Sequence, residues 1–426
     1  MRSLSQQRDG SEPKSWDVIV VGAGAAGMLC AARAAERGRR VLLLEKNTKA
    51  GVKILMSGGT RCNLTHDASP GEIADAFSQL GGKEKGRFLR PALSNLTPDA
   101  LIALFAAEGL ETKIEPTGKV FPKSDRALDV QRALLRMLDR TGAVLSLAEP
   151  VHEIEPVGDG YSVVTAQRTL ACQKVVIAVG GQSYPGCGTT GDGYAWAKRL
   201  GHRVLPPRAA LAPLTSQASW ARELQGITLP DVRVRVGERG AKPLIERRGS
   251  FLFTHFGLSG PAVMDASRFV TERPDAGNWV ASCDFLPSVN EEALRAQLQE
   301  ETVRNGKRSL GGLVAEWAPK RVAESLLLEA GAPGERRLAE LSRGERNAVL
   351  ASLKRMEIPL SGSLGFKKAE VTAGGVDLAE VDPRTLQSKL APGAYFIGEV
   401  LDLDGPIGGY NFQAAFSTGA LAADNL

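Results

Sequence analysis

Apolar runs and amphipathic helical patterns alternate along the first part of the chain. An apolar run at residues 18–21 is followed by an alanine-rich helical pattern and by a second apolar run at residues 41–44. Helical periodicity recurs at residues 99–108 and 125–140, and Ser124 is the expected N-cap of the second of these helices. Strands that alternate with helices are typical of a parallel sheet with helices on its faces, so the sequence predicts an α/β fold.

The pattern then changes to short strands. Segments around residues 152–154, 161–165 and 175–179 are rich in β-branched and aromatic residues, and a Gly-Asp-Gly turn at 158–160 separates the first two. These segments predict a small meander that returns to the main sheet.

Prolines at 206, 207 and 213 mark a boundary after the meander. Beyond it, residues 232–236 alternate with period two, residues 287–357 are helical in pattern with glycine breaks, and a strand and a helix return at 393–399 and 411–423. The β-rich and helical regions therefore interrupt a discontinuous Rossmann-like domain. The predicted domains are residues 16–205 with 366–426 (Rossmann), 206–286 with 358–365 (β-rich) and 287–357 (small helical), after a flexible tail at 1–15.

A glycine-rich motif follows the first apolar run. Gly22 permits a tight turn, Gly24 lets backbone amides approach a pyrophosphate, and Gly27 lets the helix pack close to the strand. Glu45 ends the second run, 18 positions after Gly27, where an acid accepts hydrogen bonds from a ribose diol. Strand, glycines, helix, second strand and acid together predict a dinucleotide-binding βαβ unit.

The segment at residues 398–413 favours a flavin over a nicotinamide. In a two-part FAD site a second strand supplies an acid to the ribityl chain, a role that Glu399 suits. Backbone amides around Asn411, Phe412 and Gln413 open a predicted helix and can stabilise negative charge on the pyrimidine edge of a reduced flavin. The alternative is a glycine-rich surface turn before an ordinary helix.

A second stretch, residues 186–191, also fits G-x-G-x-x-G and raises the alternative of a separate NADPH site. No strand leads directly into it and no acid follows about 20 residues later, as a dinucleotide site requires. We expect a loop packed by the FAD, with Asp192 capping the helix at 193–200.

Several polar side chains suggest further chemistry. Lys53 precedes the loop at 57–63 and Arg61 lies within it, and either can offer a cation to the pyrophosphate or the redox ring. Cys62 is either a reactive thiol or, as we expect, a buried structural cysteine. His255, in a glycine–proline loop, is either a general acid or base or a hydrogen-bonded loop residue.

The composition narrows the class of protein. The chain has 426 residues, 43% hydrophobic and 24% charged, with a net charge of +5, which describes a globular protein without a concentrated nucleic-acid footprint. Residues 287–357 carry twelve Lys or Arg against eleven Asp or Glu, which disfavours a helix-turn-helix DNA module, so we expect no nucleic-acid partner. Five scattered cysteines without a Cys-x-x-Cys pair argue against disulfides and zinc, and no metal site is expected.

The N-terminal residues lack the apolar core of a signal peptide, and no apolar run reaches about 18 residues. We therefore expect a cytoplasmic protein with no membrane contact.

The chain resembles the BaiN/RdsA family of bacterial NAD(P)/FAD-dependent oxidoreductases, which are also described as aminoacetone oxidase family FAD-binding proteins. The resemblance covers nearly the whole chain, with two departures: Thr60 stands where a third glycine is expected, and Val179 replaces a threonine. Its landmarks, in order, are residues 22–27, 57–63 (SGGTRCN), 180–185 (GGQSYP), 190–194 (TGDGY), 253–261, 371–376 (VTAGGV) and 398–413.

The resemblance implies an FAD-binding Rossmann-like domain of the two-dinucleotide-binding-domain flavoprotein type, interrupted by a β-barrel-like domain and a small helical domain. It also implies that the backbone of Val151 contacts adenine. Catalytic candidates are Arg61, Tyr184, His255 and Tyr410. The predicted FAD contacts are Gly22, Ala23, Gly24, Ala25, Ala26, Gly27, Glu45, Lys46, Lys53, Gly58, Gly59, Arg61, Cys62, Asn63, Val151, Gly180, Gly181, Gly398, Glu399, Gly409, Asn411, Phe412 and Gln413.

These features predict an FAD-dependent oxidoreductase that passes a hydride between flavin N5 and a small organic substrate in a cleft between the Rossmann and β-rich domains. NAD(P)H is the expected electron donor. The alternatives are an amine oxidase that returns electrons to oxygen and, in another class, a flavin-containing sensor or nucleic-acid-associated protein.

Overall fold

The structure is a computed structural model that describes residues 15–273 and 277–426. It divides into two compact units. The first contains the described residues up to Pro207 together with Thr372–Leu426, and the second is Arg208–Val371. The predicted tail at 1–15 lies, apart from Ser15, outside the described residues, and the division of the inserted region into a β-rich and a helical domain stays a prediction.

Within the described residues 15–210 there are ten strands and seven helices. In order they are β1 (Trp16–Val21), α1 (Ala25–Glu36), β2 (Val41–Leu44), α2 (Val52–Met56), β3 (Thr65–His66), α3 (Pro70–Gly81), α4 (Lys83–Asn95), α5 (Pro98–Ala107), β4 (Thr112–Ile114), β5 (Lys119–Pro122), α6 (Ala127–Thr141), β6 (Val144–Ser146), β7 (Val151–Val157), β8 (Gly160–Thr165), β9 (Thr169–Ile177), α7 (Asp192–Arg199) and β10 (Val204–Ala210).

The second unit follows, and the chain then returns to the first. The elements are β11 (Leu214–Thr215), α8 (Ser219–Glu223), β12 (Thr228–Glu238), β13 (Ile245–Thr254), β14 (Gly257–Ser259), α9 (Pro261–Met264), α10 (Ser267–Glu272), β15 (Trp279–Asp284), α11 (Glu291–Arg304), α12 (Leu310–Trp317), α13 (Lys320–Glu329), α14 (Arg343–Arg355), β16 (Met356–Pro359), β17 (Gly362–Ser363), β18 (Val371–Val376), β19 (Ala394–Phe396) and α15 (Tyr410–Asp424). Short 3₁₀ turns lie at Ser57–Thr60, Pro185–Cys187, Leu338–Glu340, Leu378–Glu380 and Gly398–Val400.

A seven-stranded sheet forms the core of the first unit. Its order is β6-β2-β1-β9-β8-β7, with β19 also beside β9. Strands β2, β1, β9 and β19 pair in parallel, whereas β7, β8 and β9 form the predicted antiparallel meander. The α/β prediction is confirmed. In the second unit, seven antiparallel strands follow the order β16-β15-β12-β13-β14-β11-β17.

Small residues allow the layers of the first unit to approach closely. Helix α1 is alanine-rich and ten of its twelve residues are buried. It packs against α15, where a Cβ on Gly419 would lie 2.5 Å from the backbone oxygen of Ala26. Helices α1 and α15, whose N-termini belong to the two proposed cofactor motifs, are therefore in direct contact.

The predicted start of α6 is wrong. The helix begins at Ala127, its N-cap is Arg126, and no side chain caps it. Asp125 has a left-handed φ of 53°, which does not continue into a helix. Ser124 instead donates its hydroxyl hydrogen bond to Asp129 at 2.7 Å.

Candidate cofactor site

The three motif glycines play different parts in the turn between β1 and α1. Gly22 has a φ of 104°, and a Cβ there would lie 2.7 Å from the backbone oxygen of Ala178. A Cβ on Gly27 would lie 1.9 Å from the oxygen of Gly22, whereas a Cβ on Gly24 would meet nothing within 4 Å. Two glycines are thus required by packing, and the third borders open space.

That open space adjoins the start of α1. Gly24 is the N-cap and provides no side-chain acceptor for the helix. The amides of the first helical turn have no partner within the helix and carry its positive dipole end, which is the arrangement that binds pyrophosphate in dinucleotide sites. The site therefore fits the phosphates of FAD by its backbone geometry.

Glu45 follows β2 and fixes the glycine loop. Its carboxylate is 8% exposed and accepts hydrogen bonds from the backbone amides of Ala23 and Asn47, both at 2.9 Å. Each carboxylate oxygen has a second lone pair, so Glu45 can also accept a ribose hydroxyl. The ribose contact stays a prediction.

Lys46 joins this loop to α7. Its ammonium pairs with Asp192 at 2.5 Å and donates to Thr190 at 2.6 Å. The predicted capping role of Asp192 is wrong: the N-cap is Gly191, with a φ of 81°, and Asp192 is the first residue of the helix. A carboxylate in the first turn of a helix interacts favourably with the positive end of the helix dipole, and Asp192 also pairs with Lys46.

The loop at 57–63 has an unusual backbone. Gly58, Gly59 and Thr60 have successive φ values of 55°, 66° and 70°, and Cys62 has a φ of 61°. Cys62 is fully buried, and burial raises the pKa of its thiol to about 12, which confirms a structural cysteine. The side-chain oxygen of Asn63 is buried and has no hydrogen-bond partner within the part of the chain that the structure describes, as a ligand-facing acceptor would.

Arg61 is held by protein groups. Its guanidinium lies 2.7 Å from Glu115 and 3.3 Å from Asp125, and 3.9 Å from the ring centre of Phe121. Hydrogen bonding to Glu115 is the largest influence that raises the pKa of Arg61. Its proposed contact with the cofactor therefore competes with two carboxylates.

Lys53 and Glu399 form the centre of a second network. The ammonium of Lys53 lies 2.6 Å from Glu399 and from the hydroxyl of Ser183. Ser183 and the amide of Thr372 both donate to the other oxygen of Glu399, at 2.8 and 3.0 Å. Both oxygens of the predicted ribityl acid thus have protein donors. Ser183 and Thr372 lie within landmark motifs, but their pattern gave no signal of this role.

The start of α15 is built like that of α1. Its N-cap, Gly409, has a φ of 97° and offers no side-chain acceptor. A Cβ there would lie 2.3 Å from the backbone oxygen of Thr65, so only glycine fits. Amides in the first turn of a helix have no acceptor within the helix, so those of residues 411 and 412 suit an anionic ring edge. The flavin contact stays a prediction.

Side chains around this helix start serve the fold. Asn411 accepts from the amide of Gly405 at 2.8 Å, and the buried Gln413 accepts from Thr65 at 2.6 Å. Tyr410 stacks on His66, with ring centres 4.7 Å apart. The sequence gave no signal of this pair, because the two residues lie far apart in the chain.

The remaining predicted residues are distributed over both units. Gly398 borders the glycine loop, since a Cβ there would lie 3.1 Å from that of Ala26. Tyr184 has a left-handed φ of 54°, and Val151 opens β7. His255 belongs to the second unit, where its ring packs against Phe256. Gly180 has a positive φ of 74°, and Gly181 packs closely against Thr372.

Within residues 15–273 and 277–426, no group of three or more His, Cys, Asp or Glu side chains could hold a metal ion. In the same residues, no helix is both long and apolar enough to cross a membrane.

Comparison with known proteins identifies relatives along the whole chain. The model of the HI0933-like protein Rossmann domain matches residues 16–425. A ribosomal RNA dihydrouridine synthase of Escherichia coli K12 is 36% identical over 96% of this chain and 98% of its own length. A 3-dehydro-bile acid delta(4,6)-reductase of Clostridium scindens is 30% identical over 95% and 97%.

Solved structures share the fold at low sequence identity. The 3-ketosteroid-delta4-(5alpha)-dehydrogenase of Rhodococcus jostii RHA1 superimposes with a TM-score of 0.54, at 13% identity and 98% coverage of both chains. The chain belongs to the HI0933-like family of Rossmann-domain proteins.

Proposed function

We propose that the protein is an FAD-dependent reductase that saturates a carbon–carbon double bond, and that this bond is C5=C6 of a uridine in ribosomal RNA. The observation that carries the proposal is similarity along the whole chain to two proteins named ribosomal RNA dihydrouridine synthase. One is the Escherichia coli relative, and the other, from Haemophilus influenzae, is 33% identical over 94% of this chain and 96% of its own. The expectation of no nucleic-acid partner conflicts with these names, and the proposal abandons it.

The names of the full-length relatives share one chemistry. Dihydrouridine differs from uridine by two hydrogens across a double bond conjugated to a carbonyl, and a delta(4,6)-reductase named for a 3-dehydro-bile acid also acts on such a bond. The reaction adds a hydride to the carbon distant from the carbonyl and a proton to the nearer carbon. NAD(P)H is the proposed source of the electron pair.

FAD, when bound, supplies two-electron transfer between a nicotinamide and the substrate. In this chain, the open space at Gly24 and the uncapped start of α1 support a site for the pyrophosphate. Glu45 is the proposed ribose acceptor. The uncapped start of α15 supports the pyrimidine edge, where its dipole favours negative charge.

The reaction also requires a proton donor, and three of the four catalytic candidates differ in their surroundings. Arg61 is fixed between two carboxylates, and His255 belongs to the second unit. Tyr410 is the first residue of α15 and its ring is held by stacking on His66. We therefore propose Tyr410 as the first candidate to test by replacement with phenylalanine.

The cofactor is tested first on the purified protein. We expect a yellow protein that releases FAD on denaturation and is bleached by NADH or NADPH without oxygen. Hydrogen peroxide release with an amine would instead favour the oxidase alternative, and failure of reconstituted protein to retain FAD would refute the flavoprotein site.

The substrate is tested in an Escherichia coli strain that lacks its own ribosomal RNA dihydrouridine synthase. Mass spectrometry of nucleosides from its purified ribosomal RNA should show that this chain restores dihydrouridine and that a Tyr410→Phe variant restores less. A protein that holds FAD and is bleached by NAD(P)H, yet restores none, would refute the RNA substrate.

A free polycyclic enone is the second candidate substrate, because the Clostridium scindens relative is named for a bile acid. Anaerobic addition of a 4,6-dien-3-one steroid to reduced protein should leave the flavin reduced if RNA is the substrate. Rapid reoxidation by the steroid would favour this second candidate.

A further inference from the structure

Three charged side chains form a buried cluster in the first unit, which we call the Lys85 cluster. The ammonium of Lys85, in α4, lies 2.6 Å from Asp402 and 2.6 Å from Asp404. The side chains of Lys85, Asp402 and Asp404 are 6%, 13% and 0% exposed. The sequence gave no indication of this cluster.

Burying such charges is costly. Removing an ammonium and two carboxylates from water carries a large desolvation penalty, and well-packed apolar residues of similar size are often at least as stable. A lysine at this position is therefore poorly explained by stability alone, and its contacts indicate what else it does.

The Lys85 cluster ties together three distant segments. Lys85 lies in α4, the two aspartates lie in the segment before α15, and Asp402 also accepts from the backbone amide of Gly374 in β18 at 2.8 Å. The ion pairs thus fix the path of residues 402–404 from two sides.

The next residues need such support because they are glycine-rich. Gly408 and Gly409 have φ values of 131° and 97°, and glycine is the residue with the most backbone freedom to lose on folding. A Cβ on Gly405 would lie 2.6 Å from the ring of Phe77, so the segment is also packed tightly. It ends at the N-cap of α15, the proposed contact with the flavin.

We propose that Lys85 is a positioning residue for the cofactor. By pairing with both Asp402 and Asp404, it holds residues 402–409 so that α15 presents its first amides to the pyrimidine edge of FAD. This inference rests on the proposed FAD site, but not on the identity of the substrate.

The test compares Lys85→Met with Lys83→Met, a matched change at an exposed lysine of the same helix. The affinities of the apoproteins for FAD and for ADP are measured by fluorescence titration or calorimetry. Lys83→Met should behave as the unmodified protein. Lys85→Met should weaken FAD binding by about tenfold or more and leave ADP binding within about twofold, because the proposed ADP contacts, the glycine loop, Glu45 and Val151, lie outside residues 402–409.

The reduction potential of the bound flavin gives a second readout. Misplaced amides stabilise a negatively charged reduced ring less, so the potential of Lys85→Met should become more negative. A variant that loses FAD and ADP equally, or that retains both affinities and the potential, would overturn the inference.

If Lys85→Met does not fold, Asp402→Asn decides. It keeps the shape of the side chain and leaves a one-to-one pair between Lys85 and Asp404. We expect a folded protein with weaker FAD binding and unchanged ADP binding, and unchanged FAD binding would refute the role of the cluster. If the unmodified apoprotein does not bind ADP, the proposed cofactor site itself is refuted.

Discussion

Replacing Gly24 with alanine should mainly weaken cofactor binding, whereas replacing Gly27 with alanine should mainly reduce the stability of the fold. The two positions lie three residues apart in the same motif, and both replacements add one methyl group. At Gly24 the added Cβ meets nothing within 4 Å, whereas at Gly27 it lies 1.9 Å from the oxygen of Gly22. The same chemical change therefore enters open space at one position and backbone at the other.

The magnitudes follow from these surroundings. Gly24 has an extended backbone, φ −83° and ψ −169°, that alanine adopts freely, and loss of a preferred N-cap costs about 0.5–1 kcal/mol. At Gly27 the backbone must move, and overpacking costs about 1–3 kcal/mol or more. A methyl group at Gly24 that blocks one charge-assisted amide–phosphate bond costs about 1.5–3 kcal/mol of binding, which is about 10- to 150-fold in Kd.

Urea unfolding of the apoproteins and titration with FAD measure the two effects. We expect Gly24→Ala to unfold almost as the unmodified protein and to bind FAD at least about tenfold more weakly. In Gly27→Ala the main effect should be a lower free energy of unfolding. Unchanged FAD affinity in Gly24→Ala would refute the assignment of this open space to the pyrophosphate.

Three further outcomes are expected. Thr60→Gly should raise the free energy of unfolding, measured by urea titration, by about 0.5 kcal/mol. The left-handed backbone of the β-branched Thr60 costs about 1–2 kcal/mol, which exceeds the cost of about 0.5–1 kcal/mol for the greater chain entropy of unfolded glycine. A loss of stability would contradict this. Burial lowers the pKa of His202 below its ordinary 6.5, despite the carboxylate of Glu380 at 3.2 Å, so the folded state favours the neutral ring. The stability that the neutral His202 ring contributes is complete above pH 6.5 and is lost as the pH falls through the folded pKa. Melting temperatures measured from pH 8 to pH 5 should therefore decline less in His202→Gln than in the unmodified protein. Parallel curves would exclude a contribution of His202 to the pH dependence. All five cysteines are buried, and a thiol reagent at pH 8 should modify none in the native protein and all five after unfolding; native labelling of Cys62 would restore the reactive-thiol alternative.

Local features of the first unit could be predicted from the sequence. The apolar run of β1, the three glycines and Glu45 lie within about thirty residues, and their contacts depend on strand and helix geometry that the residues specify directly. The same holds for the meander and for α15. Where local geometry was irregular, prediction failed: Ser124 looks like an N-cap, but the left-handed backbone of Asp125 delays the helix.

The charged networks could not be predicted, because their members are distant in the chain. Lys53 and Glu399 are 346 residues apart, and Lys85 and Asp402 are 317 apart. No periodicity relates such positions, and only the completed fold brings them together. The sequence therefore predicted glycines and acids for the proposed site, but it gave no information on which side chains hold them.

The return of the chain to the first unit has a consequence for the order of folding during synthesis. Strand β19 pairs with β9, and α15 packs on α1, but both are translated after the whole of the second unit. The ribosome therefore releases β1, α1 and β2 long before their last neighbours exist, whereas the second unit is continuous and can fold as soon as it emerges. During that interval the alanine-rich face of α1 lacks its partner helix, and the proposed cofactor site is complete only when α15 has been synthesised.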